Sequence, residues 1–134
     1  MQPTHIEHIG IAVINLEEAR KYYEEILGLE CYSIEEVPDQ KVKTAFYKLG
    51  NTKIELLEST DPAGPIGKFI EKKGPGIHHI AFAFEDVNEA LAMAQEKGIS
   101  LIDHTARTGA EQLKIGFLHP KSTGGVLTEF CGEK

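Results

Sequence analysis

The chain predicts an α+β fold, two tandem βαβββ modules whose strands form a curved mixed, largely antiparallel sheet. Three observations predict it. One segment occurs twice, as His8-Ile9-Gly10-Ile11-Ala12-Val13 and, 71 residues on, as His79-Ile80-Ala81-Phe82-Ala83-Phe84. Each copy runs into a helix-start signature, Asn15 with Glu18 and Asp86 with Glu89, and Ala19 matches Ala90 in step. Each copy also closes on a strand-like run holding a glutamate, Lys53-Ile54-Glu55-Leu56-Leu57 and Val126-Leu127-Thr128-Glu129-Phe130.

The elements follow in order. Residues 5–14 alternate Ile6, Ile9, Ile11 and Val13 in a strand rhythm. Leu16, Ala19, Tyr23, Ile26 and Leu27 then recur at helical spacing, and Gly28 supplies the left-handed residue that ends a helix. Strands are expected near 30–37, 42–49 and 53–59. Thr60 to Gly76 reads as a linker with a short helix opening at Pro65, its Ile66, Phe69 and Ile70 on one side. The second copy repeats the plan. Val87, Ala90, Leu91 and Ala94 form a helical face and Gly98 ends it, with strands expected near 99–103, 112–118 and 125–131. The organisation is a single domain over 1–134, with module 1 at about 5–59, the linker at 60–75 and module 2 at about 76–131.

Alternation also sorts the histidines. His8 shares a strand face with Gly10 and Ala12, and His79 with Ala81 and Ala83, while the bulky residues point the other way. Small neighbours leave room for a ligand. A repeat that offers one histidine and one glutamate per copy can assemble two imidazoles and two carboxylates, a donor set for a divalent metal. His8, Glu55, His79 and Glu129 are the expected ligands. Glu58 would compete with Glu55 only if a bulge turned it onto the same face. His78 and His5 fall on the opposite strand face. His104 reads as a solvated loop residue, and His119, before Pro120, as a turn residue bonded to backbone.

Composition bounds the function. The chain has 134 residues, 41% hydrophobic and 26% charged, with a formal charge of -7 and no concentrated basic patch. That argues against a nucleic-acid partner. No apolar run approaches the roughly 18 residues of a membrane span. Met-Gln-Pro-Thr-His has neither the basic segment nor the apolar core of a signal peptide, so a cytoplasmic location is expected. Cys31 and Cys131, 100 residues apart, read as reduced packed thiols.

These residues resemble the vicinal oxygen chelate superfamily, and within it the methylmalonyl-CoA epimerases. The resemblance covers nearly the whole chain: the two His strands, Leu49-Gly50-Asn51-Thr52-Lys53-Ile54-Glu55-Leu56-Leu57, Pro65-Ile66-Gly67-Lys68-Phe69-Ile70, and Phe117-Leu118-His119-Pro120-Lys121 before Gly124-Gly125-Val126-Leu127. It implies metal ligation by His8, His79 and Glu129, with Glu55 at a fourth position often filled by glutamine. It implies exchange of the C2 proton of an acyl-CoA through an enolate, with Glu55 and Glu129 as the base and acid on opposite faces. A further glutamate that some epimerases place in the third strand is absent, since the position near Thr44 is not acidic. Lys121 is the candidate contact to CoA phosphate, with Arg107 and Lys114 behind it. One divalent ion per chain is expected, cobalt favoured, with manganese, nickel, zinc or iron compatible with the same donors. A homodimer is expected.

Three other readings use related residues. A glyoxalase I-like lactoylglutathione lyase would use the same four ligands on a glutathione adduct. A ring-cleaving dioxygenase would need only two histidines and one glutamate on iron. A protein that sequesters an antibiotic could dispense with the ligands altogether.

Overall fold

The computed structural model describes residues 1–134. The chain forms β1 (His5–Val13), α1 (Leu16–Lys21) with a π-helical turn over Tyr22–Ile26, β2 (Cys31–Val37), β3 (Val42–Leu49), β4 (Thr52–Ser59) and α2 (Pro65–Lys73). It continues with β5 (Gly76–Ala83), α3 (Val87–Glu96), β6 (Arg107–Thr108), β7 (Lys114–Leu118) and β8 (Thr128–Gly132). Two compact units result, Ile9–His78 and Met1–His8 with His79–Lys134, so the chain passes between them inside β1 and again inside β5.

In the unit Ile9–His78 the strands run β2-β3-β4 and then the second half of β1, with both β2–β3 and β3–β4 antiparallel. The Asn15 side chain accepts the Glu18 N–H at 2.9 Å and caps α1 as expected. Leu16 is buried with Val13, Ala45, Tyr47 and Leu56, and Ala19 and Tyr23 pack against them. The expected apolar face does not continue, because Ile26 is 73% exposed and Leu27 47%. The cause is the π turn, in which the Leu27 N–H donates to the Tyr22 carbonyl at 3.1 Å. One extra residue per turn rotates everything after Tyr23 off the α-helical stripe. Gly28 then ends the segment with φ +70°.

In the other unit the first half of β1 leads the order β5-β8-β7-β6, with β5–β8 parallel and β8–β7 and β7–β6 antiparallel. Asp86 caps α3 through the Glu89 N–H at 3.0 Å. Val87, Ala90, Leu91 and Ala94 are buried against Phe84, Leu118 and Phe130 as their spacing predicts. Burying Val87 and Leu91 contributes about 1.5–3 kcal/mol each.

The strand expected near 99–103 is reduced to a single bridge between Leu101 and Leu118. Past it the N–H groups of Ile102 and Asp103 both donate to the Phe117 carbonyl, and the Asp103 side chain accepts the Phe117 N–H at 2.9 Å. A side chain thus occupies the position a ladder carbonyl would take, and pairing resumes only at Arg107–Thr108. No helix is long and apolar enough to cross a membrane.

Candidate metal centre

The centre is built from three strands of the unit Met1–His8 with His79–Lys134. β1 ends its part of that unit on His8, β5 begins with His79, and β8 supplies Glu129; all three are buried. Strand alternation places them as the sequence predicts, since Ala81 and Ala83 are buried on the His79 face while Ile80 and Phe82 are half-buried on the other. Parallel pairing sets Ala81 beside Glu129, and antiparallel pairing sets Glu129 beside Phe117. The small alanine lets the His79 ring and the Glu129 carboxylate approach.

The donors converge. His8 Nε2 lies 3.1 Å from His79 Nε2 and 3.6 Å from a Glu129 oxygen, and His79 Nε2 lies 3.4 Å from the other oxygen of Glu129. Donors held about 2.1 Å from one small divalent ion stand roughly 3.0–3.4 Å apart, depending on coordination number. The residues therefore fit a metal: three Lewis bases, nitrogen and oxygen, converge with two of their separations inside the range an ion imposes and the third slightly beyond it. Imidazole with carboxylate suits first-row divalent ions and does not choose among them.

Glu7 belongs to the site although alternation hides it. Its carboxylate oxygen is 2.7 Å from His8 Nδ1, so it accepts from a proton-bearing Nδ1 and turns the Nε2 lone pair toward His79 and Glu129. The only signal in the sequence is that Glu7 is the one acidic residue of β1. Cys131 stands close enough to Glu7 and His8 to form a second cluster of possible donors. Burial pushes its thiol up to about 11, and its Sγ lies 3.7 Å from the Phe82 carbonyl.

Glu55 lies in the unit Ile9–His78, buried on β4 opposite Phe46, with Thr44, also buried, opposite Leu57 on the same sheet face. Glu58, its competitor, instead accepts the Leu16 N–H at 2.6 Å and secures the first turn of α1. His78 packs edge-on against Phe69 at 5.0 Å, and burial lowers its pKa to about 4. His104 is exposed near Gln95. His119 Nδ1 accepts the Lys121 N–H at 3.3 Å in the turn Pro120–Ser122, and the Lys121 side chain is exposed.

Comparison with known proteins identifies the family and the fold. The profile of the Glyoxalase/Bleomycin resistance protein/Dioxygenase superfamily matches residues 7–117. The uncharacterized protein YqjC of Bacillus subtilis is 43% identical over 129 residues, covering 96% of this chain and 92% of that one. The mitochondrial methylmalonyl-CoA epimerase of Bos taurus is 38% identical over 125 residues, covering 92% of this chain and 71% of that one. A methylmalonyl-CoA epimerase solved in complex with methylmalonyl-CoA and ammonium superposes with a TM-score of 0.94 at 36% identity, over 97% of this chain and 94% of that one. The α+β fold expected from the repeat, glyoxalase-like as the resemblance implies, is the fold observed.

Proposed function

The chain belongs to the glyoxalase/bleomycin resistance protein/dioxygenase superfamily, and from that premise we propose that it is a metal-dependent methylmalonyl-CoA epimerase of the cytoplasm. The observation that carries the reading is the buried convergence of His8, His79 and Glu129 in a chain related at 36–38% identity to proteins named for that activity.

His8, His79 and Glu129 would hold the ion, and Glu55 joins them as the fourth ligand in this reading. When bound, a divalent ion supplies Lewis acidity that stabilises the negative charge of an enolate. The protein's own groups do the rest. Glu7 holds the tautomer of His8 that presents Nε2. The apolar walls of Ala81, Ile115 and Phe117 exclude water around Glu129, which strengthens any electrostatic interaction formed there. Glu55 and Glu129, one carboxylate from each repeat, remove a proton from C2 and return one to it. With threonine at position 44, that strand position supplies no carboxylate to this work. Lys121, exposed beside Gly124 and Gly125, receives a CoA phosphate. The active species in this reading is a homodimer.

A lactoylglutathione lyase would use the same donors, so the substrate decides. The deciding experiment is proton NMR of (2R)-methylmalonyl-CoA in deuterium oxide with metal-free and cobalt-loaded protein. Metal-dependent loss of the C2–H signal with appearance of the other epimer is the expected result. Absence of exchange with cobalt, manganese, nickel, zinc and iron alike, with turnover of the methylglyoxal–glutathione adduct instead, would overturn it in favour of the lyase.

A further inference from the structure

One cation is built into the metal-bearing sheet face. Register places Arg107 opposite Ile115, Ile115 opposite Cys131, and Cys131 beside Ala83. Arg107 therefore lies on the face that carries His79, Ala81 and Glu129. It is the one lysine or arginine that β5–β8 put there, since Lys114 alternates to the opposite face and donates toward Thr108.

Its position is fixed from two sides. Asp103 accepts the Arg107 Nε–H at 3.2 Å with one oxygen and the Phe117 backbone N–H at 2.9 Å with the other. The guanidinium carbon sits 5.9 Å from the centre of the Phe117 ring, and that ring meets His79 edge-on at 5.5 Å. The guanidinium is thus one aromatic ring away from a metal ligand. Asp103 engages Nε, the Arg107 side chain is 42% exposed, and the two terminal nitrogens of a guanidinium form a fork that suits a carboxylate or phosphate. The two residues Glu111 and Gln112, at φ 57° and 63°, fold the next loop back so that the Gly109 N–H meets the Leu113 carbonyl at 2.8 Å.

We propose that Arg107 is a substrate-orienting cation that receives an anionic oxygen group, carboxylate or phosphate, of the molecule held at His8, His79 and Glu129. The proposal rests on reading the centre as an acyl-CoA site, and its test separates the two ideas. Arg107→Gln and Arg107→Lys would be compared with wild type in cobalt-loaded protein. The substrates are methylmalonyl-CoA and methylmalonyl-pantetheine, which keeps the carboxylate and lacks the phosphates. Free CoA and methylmalonate binding would be measured by calorimetry alongside.

Losing a charge-assisted hydrogen bond predicts about a ten- to hundredfold rise in KM for the glutamine variant. Lysine should recover a large part of the loss, and cobalt affinity should be unchanged. A penalty on both substrates identifies the carboxylate as the bound group; a penalty on the CoA ester alone identifies a phosphate. Loss of CoA or methylmalonate binding in a protein with no epimerase turnover would sustain the clamp and sink the epimerase reading. Normal turnover with unchanged KM and binding in Arg107→Gln would overturn the clamp and leave the enzyme standing. Weakened cobalt affinity with no recovery by lysine would make Arg107 a packing support for Phe117, which also overturns it.

Discussion

His8 works through both ring nitrogens. Nε2 faces His79 and Glu129, and Nδ1 is tied to Glu7 at 2.7 Å. An imidazole presents a lone pair on one nitrogen only when the other bears the proton, so the Glu7 carboxylate decides which nitrogen can bind an ion. Glu7→Gln keeps the shape but offers an amide that can donate as well as accept. Cobalt affinity is expected to fall roughly ten- to hundredfold, read by competition with a chelator, while the circular dichroism spectrum holds. Unaltered affinity would mean that packing alone orients the ring. His8 and His79 stood out in the sequence because their neighbours Gly10, Ala12, Ala81 and Ala83 are small in both copies, and Glu129 because it matches Glu55 in the closing strand of each copy. Glu7 was not, because period-two reasoning assigns adjacent residues to opposite faces, and a long carboxylate at a strand end can reach around that rule.

At the scale of elements, capping and apolar spacing located α1, α3 and most strands within a few residues, since those signals are local. What they could not show depended on tertiary partners. The π turn after α1 exposes Ile26 and Leu27, and on its inner side Glu24 accepts from Arg20 Nε at 2.7 Å and from the Tyr47 hydroxyl at 2.7 Å. Tyr47 is fully buried and stacks on Tyr23. The Arg20 guanidinium, and then the Tyr47 hydroxyl, hold the Glu24 carboxyl below its ordinary 4.5. Its contribution to stability is therefore present above that value and lost as pH falls through the lowered folded pKa. Burial and the Glu24 carboxylate push the Tyr47 phenol up from 10. That contribution is present below pH 10 and lost as pH rises through the raised folded value. Urea unfolding of wild type and Glu24→Gln should differ most between about pH 5 and 9, and the two should converge toward pH 2. A difference that stays constant down to pH 2 would remove Glu24 from the account.

For the whole molecule, the 71-residue repeat made the succession of elements and the pairing of His8 with His79 readable, because a duplicated unit places equivalent residues at equivalent points. The short β6 was unreadable, because Asp103 and the Phe117 backbone settle it across 14 residues of sequence. The centre joins positions 8, 79 and 129, so an ion bound there ties together three strands that are distant along the chain. A ligand that binds only the folded state stabilises it by RT ln(1 + [L]/Kd), about 2.7 kcal/mol at a hundredfold excess over Kd. In a domain of this size that corresponds to a rise in Tm on the order of 10 °C. Cobalt added to chelator-treated protein is expected to give that rise, and chelator to reverse it. His79→Ala should melt at the same temperature with and without cobalt, because the donor set that closes on the ion loses one of its two imidazoles. A full cobalt-dependent rise in His79→Ala would place the ion elsewhere, and the assignment of the centre to these three strands would fail with it.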